Sequence, residues 1–179
     1  MANKKNIVRR IKSAVISVSD KSNLKPLLQT LNRYNVKLIS SGGTFKAIRK
    51  LGYRCLEVSD YTGFNEILDG RVKTLHPKIH AGILNKRNNN SHKREIKKNN
   101  FQNIDLVIVN FYPFEKTLNT TKNHNKIIEK IDIGGPALVR SAAKNYNDVA
   151  VITSINQYSA LMDQLKRFKG ATKLEFRKK

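Results

Sequence analysis

Between Gly70 and Pro77 the chain reads Gly-Arg-Val-Lys-Thr-Leu-His-Pro: two cations, a hydroxyl and an imidazole in a segment that opens on glycine and closes on proline. Such a stretch is a shaped loop, because proline removes a backbone donor and glycine admits turn conformations. Arg71 and Lys73 flank a valine, with the Thr74 hydroxyl alongside. That is a donor array suited to phosphate oxygens, or to charge developing on an oxygen during reaction. A solvated basic loop is the plain alternative. Two glycine pairs carry the same theme. Ser41-Gly42-Gly43-Thr44 follows a strand pattern and opens a helical one, and Ile131-Asp132-Ile133-Gly134-Gly135-Pro136 repeats the device. Glycines allow close approach of the backbone, and the free N–H groups of a helix start favour an anion. Tyr112 reads equally as a packed aromatic or a functional one. Asp132 is a turn residue, or an acid paired with Lys144 three turns along. His76, before Pro77, reads as structural.

The elements that must position these groups alternate between strand and helix. Residues 14–18 form a β-branched run, followed by the turn Ser19-Asp20-Lys21 and a helix on Leu24, Leu27, Leu28 and Leu31. Residues 36–40 repeat the plan, and the next helix carries Phe45, Ile48 and Leu51, with Gly52 as its stop. Expected next are a weak strand over 53–58, a short helix over 64–68, a strand over 79–84, and a solvent-facing helix with a polar loop over 85–100. Residues 106–109, Leu-Val-Ile-Val, are the clearest buried strand and end in Asn110-Phe111-Tyr112-Pro113-Phe114. Pro136 is expected at the first position of a helix in which it shares a face with Arg140 and Lys144. A strand over 149–153 and a helix on Tyr158, Leu161, Met162 and Leu165 complete the pattern, and 174–179 reads as a helix cut short. In open α/β sheets ligands bind beyond the carboxyl ends of the strands. Ser19 with Lys21, Ser41 to Thr44, and Asn110 with Tyr112 all fall there, so they should converge on one rim.

The 179 residues fit one domain, read as residues 13–179 behind a basic tail over 1–12. Lys plus Arg number 35 against 13 Asp plus Glu, a formal charge of +22, which favours anionic partners. The excess is concentrated in Lys/Asn-rich tracts without interleaved aromatic residues, so specific nucleic-acid binding is not expected. A single cysteine, Cys55, excludes an internal disulfide, and no Cys/His spacing suits a metal. No signal peptide or membrane-spanning run is present, and a cytoplasmic setting follows.

At these motifs the chain resembles the inosine monophosphate (IMP) cyclohydrolase domain, the N-terminal half of a bifunctional purine-synthesis protein that also carries an AICAR transformylase. The resemblance runs through residues 17–21, 41–44 and 62–64, the whole of 69–77, then 110–114, 131–136 and 142–145, in order and spacing. It implies a methylglyoxal-synthase-like α/β fold: an open, mostly parallel sheet with helices on both faces. The implied reaction closes 5-formamidoimidazole-4-carboxamide ribotide (FAICAR) to IMP with loss of water, without metal or organic cofactor. By this resemblance Lys73, Tyr112, Asp132 and Lys144 are the catalytic set and share one pocket, with Asp132 the proton acceptor tuned by Lys144. Ser19, Lys21, Ser41, Gly42, Gly43, Thr44 and Arg71 are implied phosphate and ribose contacts, and Thr74 lies close to the nucleotide. Asn110, Ile133 and Gly134 are implied base contacts. The transformylase half normally fused to this domain is absent: the chain is either a piece of a longer protein, which the abrupt ending favours, or a short gene product. A homodimer is compatible with the sequence, which does not fix oligomeric state. The rivals are a regulatory domain of the same fold that binds phosphate without catalysis, and a basic RNA-binding module.

Overall fold

Along the strands alternate residues face opposite cores, and that period of two sets the architecture. A computed structural model describes residues 8–112 and 114–179. In chain order the elements are β1 (Val8–Arg10), β2 (Ser13–Val18), α1 (Leu24–Arg33), β3 (Lys37–Ser40), α2 (Gly42–Lys50), β4 (Leu56–Glu57), α3 (Val58–Thr62), α4 (Pro77–Leu84) and α5 (Asn90–Lys98). There follow β5 (Leu106–Asn110), α6 (Phe114–Thr120), α7 (His124–Ile128), α8 (Gly134–Lys144), β6 (Ala150–Ile152), α9 (Tyr158–Arg167), β7 (Ala171–Lys173) and α10 (Leu174–Arg177). Five strands form a parallel sheet in the order β4-β3-β2-β5-β6, with Val15 opposite both Ile39 and Val107. Ala14, Ile16 and Val18 of β2 and Leu106 and Ile108 of β5 pack under α1 and α9. Val15, Val107 and Val109 pack on the other face, against Tyr61 of α3, Ile79 and Ile83 of α4 and Leu138 and Ala142 of α8. This is the expected α/β fold.

The strand order reverses direction between β2 and β5: the chain runs outward to β4, then returns to lay β5 beside β2. A crevice opens at such a switch point, beyond the carboxyl ends of the strands.

Several expectations need correction. Residues 79–84 are helical: His76 caps α4, its Nδ1 accepting from the Lys78 N–H at 3.1 Å, and Pro77 occupies the first turn. Its apolar run is buried at Ile79, Gly82 and Ile83, a helical spacing. Residues 64–68 form no helix, since Leu68 and Asp69 take positive φ in a turn closed by a bridge between Ile67 and Val72. The strand expected over 53–58 shortens to Leu56–Glu57, with α3 directly behind it. Pro136 is the third residue of α8 rather than the first. Val8–Arg10 of the expected tail pair antiparallel with Ala171–Lys173 and Ile11 is buried in the core, so the folded domain begins earlier than residue 13; residues 1–7 and Pro113 lie outside the described residues. Among those residues no helix is long and apolar enough to cross a membrane.

Candidate active site

Two helix starts and one loop enclose a cavity of ≈ 540 Å³ at the switch point, within the range of about 300–1,000 Å³ usual for small-molecule sites. The first wall is the β2 end. Ser19 and Lys21 line it, and the Lys21 ammonium folds back to donate to the carbonyls of Val18 (3.3 Å) and Ser19 (3.0 Å). The second wall is the N-terminus of α2. Ser41, Gly42 and Gly43 face the cavity, and the Ser41 hydroxyl makes no capping bond. The first N–H groups of α2 have no partner within the helix and carry its positive dipole end. Gly42 sits at φ 53, a conformation glycine adopts without steric cost.

Thr44 and Asn110 also line the cavity, but their polar groups are already committed. The buried Thr44 hydroxyl accepts from the Val18 N–H (3.1 Å) and donates to the Val18 carbonyl (3.0 Å), fastening α2 to β2. The Asn110 side-chain oxygen accepts from the N–H groups of Ser19 (2.6 Å) and Asp20 (2.9 Å), while its amide donates to the Asp20 carbonyl (2.8 Å). Both residues therefore build the rim. What Thr44 presents to a ligand is backbone, while Asn110, tied across the switch point through its oxygen and one amide N–H, keeps its second N–H.

The central loop bridges the two helix starts. Lys73 reaches toward α2, its Nζ 3.3 Å from where a Cβ on Gly42 would stand. It forms an ion pair with Glu66 at 3.2 Å. Next in sequence, Thr74 reaches toward α8, its hydroxyl 2.8 Å from the Cβ position of Gly134. Arg71, fully at the surface, is ion-paired with Glu129, whose hydrogen bond and charge hold the guanidinium above its ordinary pKa.

The third wall is the start of α8, lined by Asp132, Ile133, Gly134 and Gly135. Asp132 works as a cap: its Oδ1 accepts from the Gly135 N–H at 2.9 Å. The carboxylate is thereby held across the first turn, with its second oxygen beside Gly135. Tyr112, half-exposed, closes the mouth with its ring under the Lys130 ammonium at 5.1 Å.

Every residue of the implied site lines this cavity except Lys144. Asp132 lies just before α8, whereas Lys144 is its last residue, exposed. Ten residues at about 1.5 Å rise separate Gly134 from Lys144, roughly 15 Å. Among the described residues Lys144 makes no ion pair with Asp132, so the expected acid/base couple is not formed in this structure. Glu66 and Glu129 were not anticipated as partners of the two loop cations. Glu66 lay inside a presumed helix, and Glu129 carried no sequence signal. Among the described residues no group of three or more His, Cys, Asp or Glu stands together to hold a metal ion.

Comparison with known proteins gives a consistent result. Residues 142–179 match the AICARFT/IMPCHase bienzyme family. The chain is 47% identical over 171 residues to the bifunctional purine biosynthesis protein PurH of Bradyrhizobium diazoefficiens, covering 96% of this chain and 32% of that protein. It is 48% identical to the PurH proteins of Acetivibrio thermocellus, covering 90% of this chain and 32% of that one, and of Clostridioides difficile, covering 94% and 32%. It thus spans about a third of the length of the curated relatives it matches. Among solved structures it is similar to ForH, with a TM-score of 0.82 at 31% identity over 94% of this chain and 88% of that one. Residues 23–137, which include both glycine-pair helix starts and the loop between them, match the MGS-like domain, and the chain belongs to that family.

Proposed function

We propose that this chain is an IMP cyclohydrolase, closing FAICAR to IMP with loss of water. The observation that carries the reading is the meeting of Lys73, Tyr112 and Asp132 with two helix N-termini in one cavity. Identity of 47–48% to proteins named for purine biosynthesis supports it. In this reading the nucleotide phosphate takes the free N–H groups of Gly42 and Gly43, the Ser41 hydroxyl and the remaining donor of Lys21. Arg71 flanks the ribose. The base lies toward Ile133, Gly134 and Thr74, with Asn110 holding the loop that confines it.

Ring closure needs a proton taken from a poor amide nucleophile and donors for an oxygen that leaves. The second oxygen of Asp132 accepts the proton from the carboxamide nitrogen as that nitrogen bonds to the formyl carbon. Lys73 and Tyr112 donate to the formyl oxygen as the C=O becomes C–OH. Asp132 then returns its proton to that hydroxyl, which departs as water, while the formamide N–H proton passes to the deprotonated donor, leaving the ring C=N bond and both groups restored. The condensation is intramolecular and redox-neutral, so no metal or organic cofactor has a step in it. Lys144 has no step here, because it stands outside the cavity. FAICAR would come from a transformylase in the same or another polypeptide, in the cytoplasm.

The position of Lys144 favours one second reading, an MGS-like domain that binds a phosphorylated ligand without turnover. Adding FAICAR to purified protein and following ultraviolet absorbance separates the two. IMP should form with wild-type protein, and Lys73→Ala should slow it by about 10²–10³-fold, as for loss of one donor to a developing oxyanion. Binding without IMP formation leaves the second reading.

A further inference from the structure

Lys73 is placed where an ammonium ion is electrostatically ill at ease. Its Nζ stands at the N-terminus of α2, which carries roughly half a positive charge. Gly70 gives it room: at φ 83, a Cβ there would lie 2.7 Å from Nζ and nearer still to Cε. The charge that offsets this crowding is Glu66, whose Oε2 lies 3.2 Å from Nζ and 3.6 Å from the same Cβ position. Of the other carboxylates lining the cavity, Glu129 is engaged by Arg71, Asp132 by the Gly135 N–H, and Asp69 acts on Arg71 and, among the described residues, makes no ion pair with Lys73. Glu66 is 56% exposed, so it can swing away without unpacking anything.

We infer that Glu66 is a positioning residue: it serves as the resident counter-ion of Lys73 in the empty site and yields the ammonium to an anionic ligand on binding. This rests on the reading of the cavity as an anion site. It adds that the ligand must displace an internal carboxylate, which holds Lys73 in place and weakens the ligand's apparent affinity. An ion pair this exposed contributes modestly, so the competition corresponds to a factor of about two to five in affinity.

The experiment uses inorganic phosphate, whose binding does not require the purine ring, followed through the backbone amide signals of Gly42 and Gly43. Glu66→Gln should tighten phosphate about two- to five-fold, and Glu66→Asp, which withdraws the carboxylate by one methylene, should fall between it and wild type. In a Lys73→Met background, Glu66→Gln should change nothing, because its effect passes through Lys73. Equal tightening in both backgrounds would show a general field effect and overturn the proposal. So would unchanged or weaker affinity in Glu66→Gln, or no phosphate binding at these amides. Failure of the cyclohydrolase reading would appear separately, as absence of IMP from FAICAR with phosphate binding intact.

Discussion

Replacing Gly70 by alanine tests whether the place of Lys73, and not merely its presence, governs the reaction. Gly70 lies at φ 83, and the lysine side chain passes through the space an alanine methyl would fill. Two effects follow, of different kinds. The positive φ strains any residue with a Cβ by roughly 1–2 kcal/mol. At about 2–4 °C per kcal/mol for a chain of this size, the melting temperature should fall by roughly 2–8 °C. The methyl meets only the far end of a flexible side chain, so packing adds little to that. The second effect is on chemistry. Lys73 must swing away from Gly42 and Glu66, and misplacement of a catalytic group by about 1 Å can cost on the order of 10²-fold in rate. Gly52→Ala is the matched control, because Gly52 has φ 84 with nothing within 4 Å of its Cβ position. It should lose similar stability and keep its turnover. Rates are read by IMP absorbance and stability by thermal unfolding. A Gly70→Ala variant that loses stability yet turns over within about three-fold of wild type would refute the reasoning.

The other expectations concern separate parts of the fold. Asp132→Asn keeps an oxygen that can accept the Gly135 N–H, so stability should change by less than about 1 kcal/mol, while turnover falls by about 10²–10⁴-fold for a lost general base; a rate near wild type would remove Asp132 from the mechanism. Gly82→Ala would set a methyl 2.6 Å from the Gln102 carbonyl oxygen and against Ile104, and should cost about 1–3 kcal/mol by urea unfolding, an unchanged midpoint counting against the packing described. His80 of α4 bonds Ser141 of α8 through Nδ1 at 2.9 Å, and burial, opposed by the nearby Thr74 carbonyl, pushes its pKa below the ordinary value. A depressed histidine pKa means stability fully present above about pH 6.5 and lost as pH falls through the folded value. His80→Gln should therefore flatten the decline in melting temperature on acidification below pH 6.5, and an identical slope would show that His80 does not contribute.

What could be read from the sequence divides along the reach of the interactions involved. The strands β2, β3, β5 and β6 announced themselves because a strand buried on both faces must be apolar throughout, as Leu106 to Val109 are. The same rule misled at residues 79–84, where a short, mostly apolar run interrupted by His80 fits strand and helix alike. The deciding signals were present: His76 before Pro77 marks a helix start, and Ile79, Gly82 and Ile83 have helical spacing. The strand pairing of Val8–Arg10 with Ala171–Lys173 spans nearly the whole chain, and no local pattern carries it.

Within the site, residue types showed which groups could donate or accept, but not which were still free to do so. Thr44 spends its hydroxyl on Val18, 26 residues away, and Asn110 spends its side-chain oxygen and one of its two amide N–H groups on a loop 90 residues away. Those distant partners give both residues a framework role in addition to their place in the cavity lining. Lys144 lies outside the cavity for a geometric reason, since residues spaced along one helix face share a direction while standing a helix length apart. Among the described residues, the groups left uncommitted include the first N–H groups of α2, the Ser41 hydroxyl, one oxygen of Asp132 and an ammonium whose ion-pair partner is an exposed carboxylate. These share a chemical character: most donate toward negative charge, and one accepts a proton. A site so composed is suited to hold a phosphate at one end while a proton leaves a neutral amide at the other. That division of labour follows from which bonds the fold has already used.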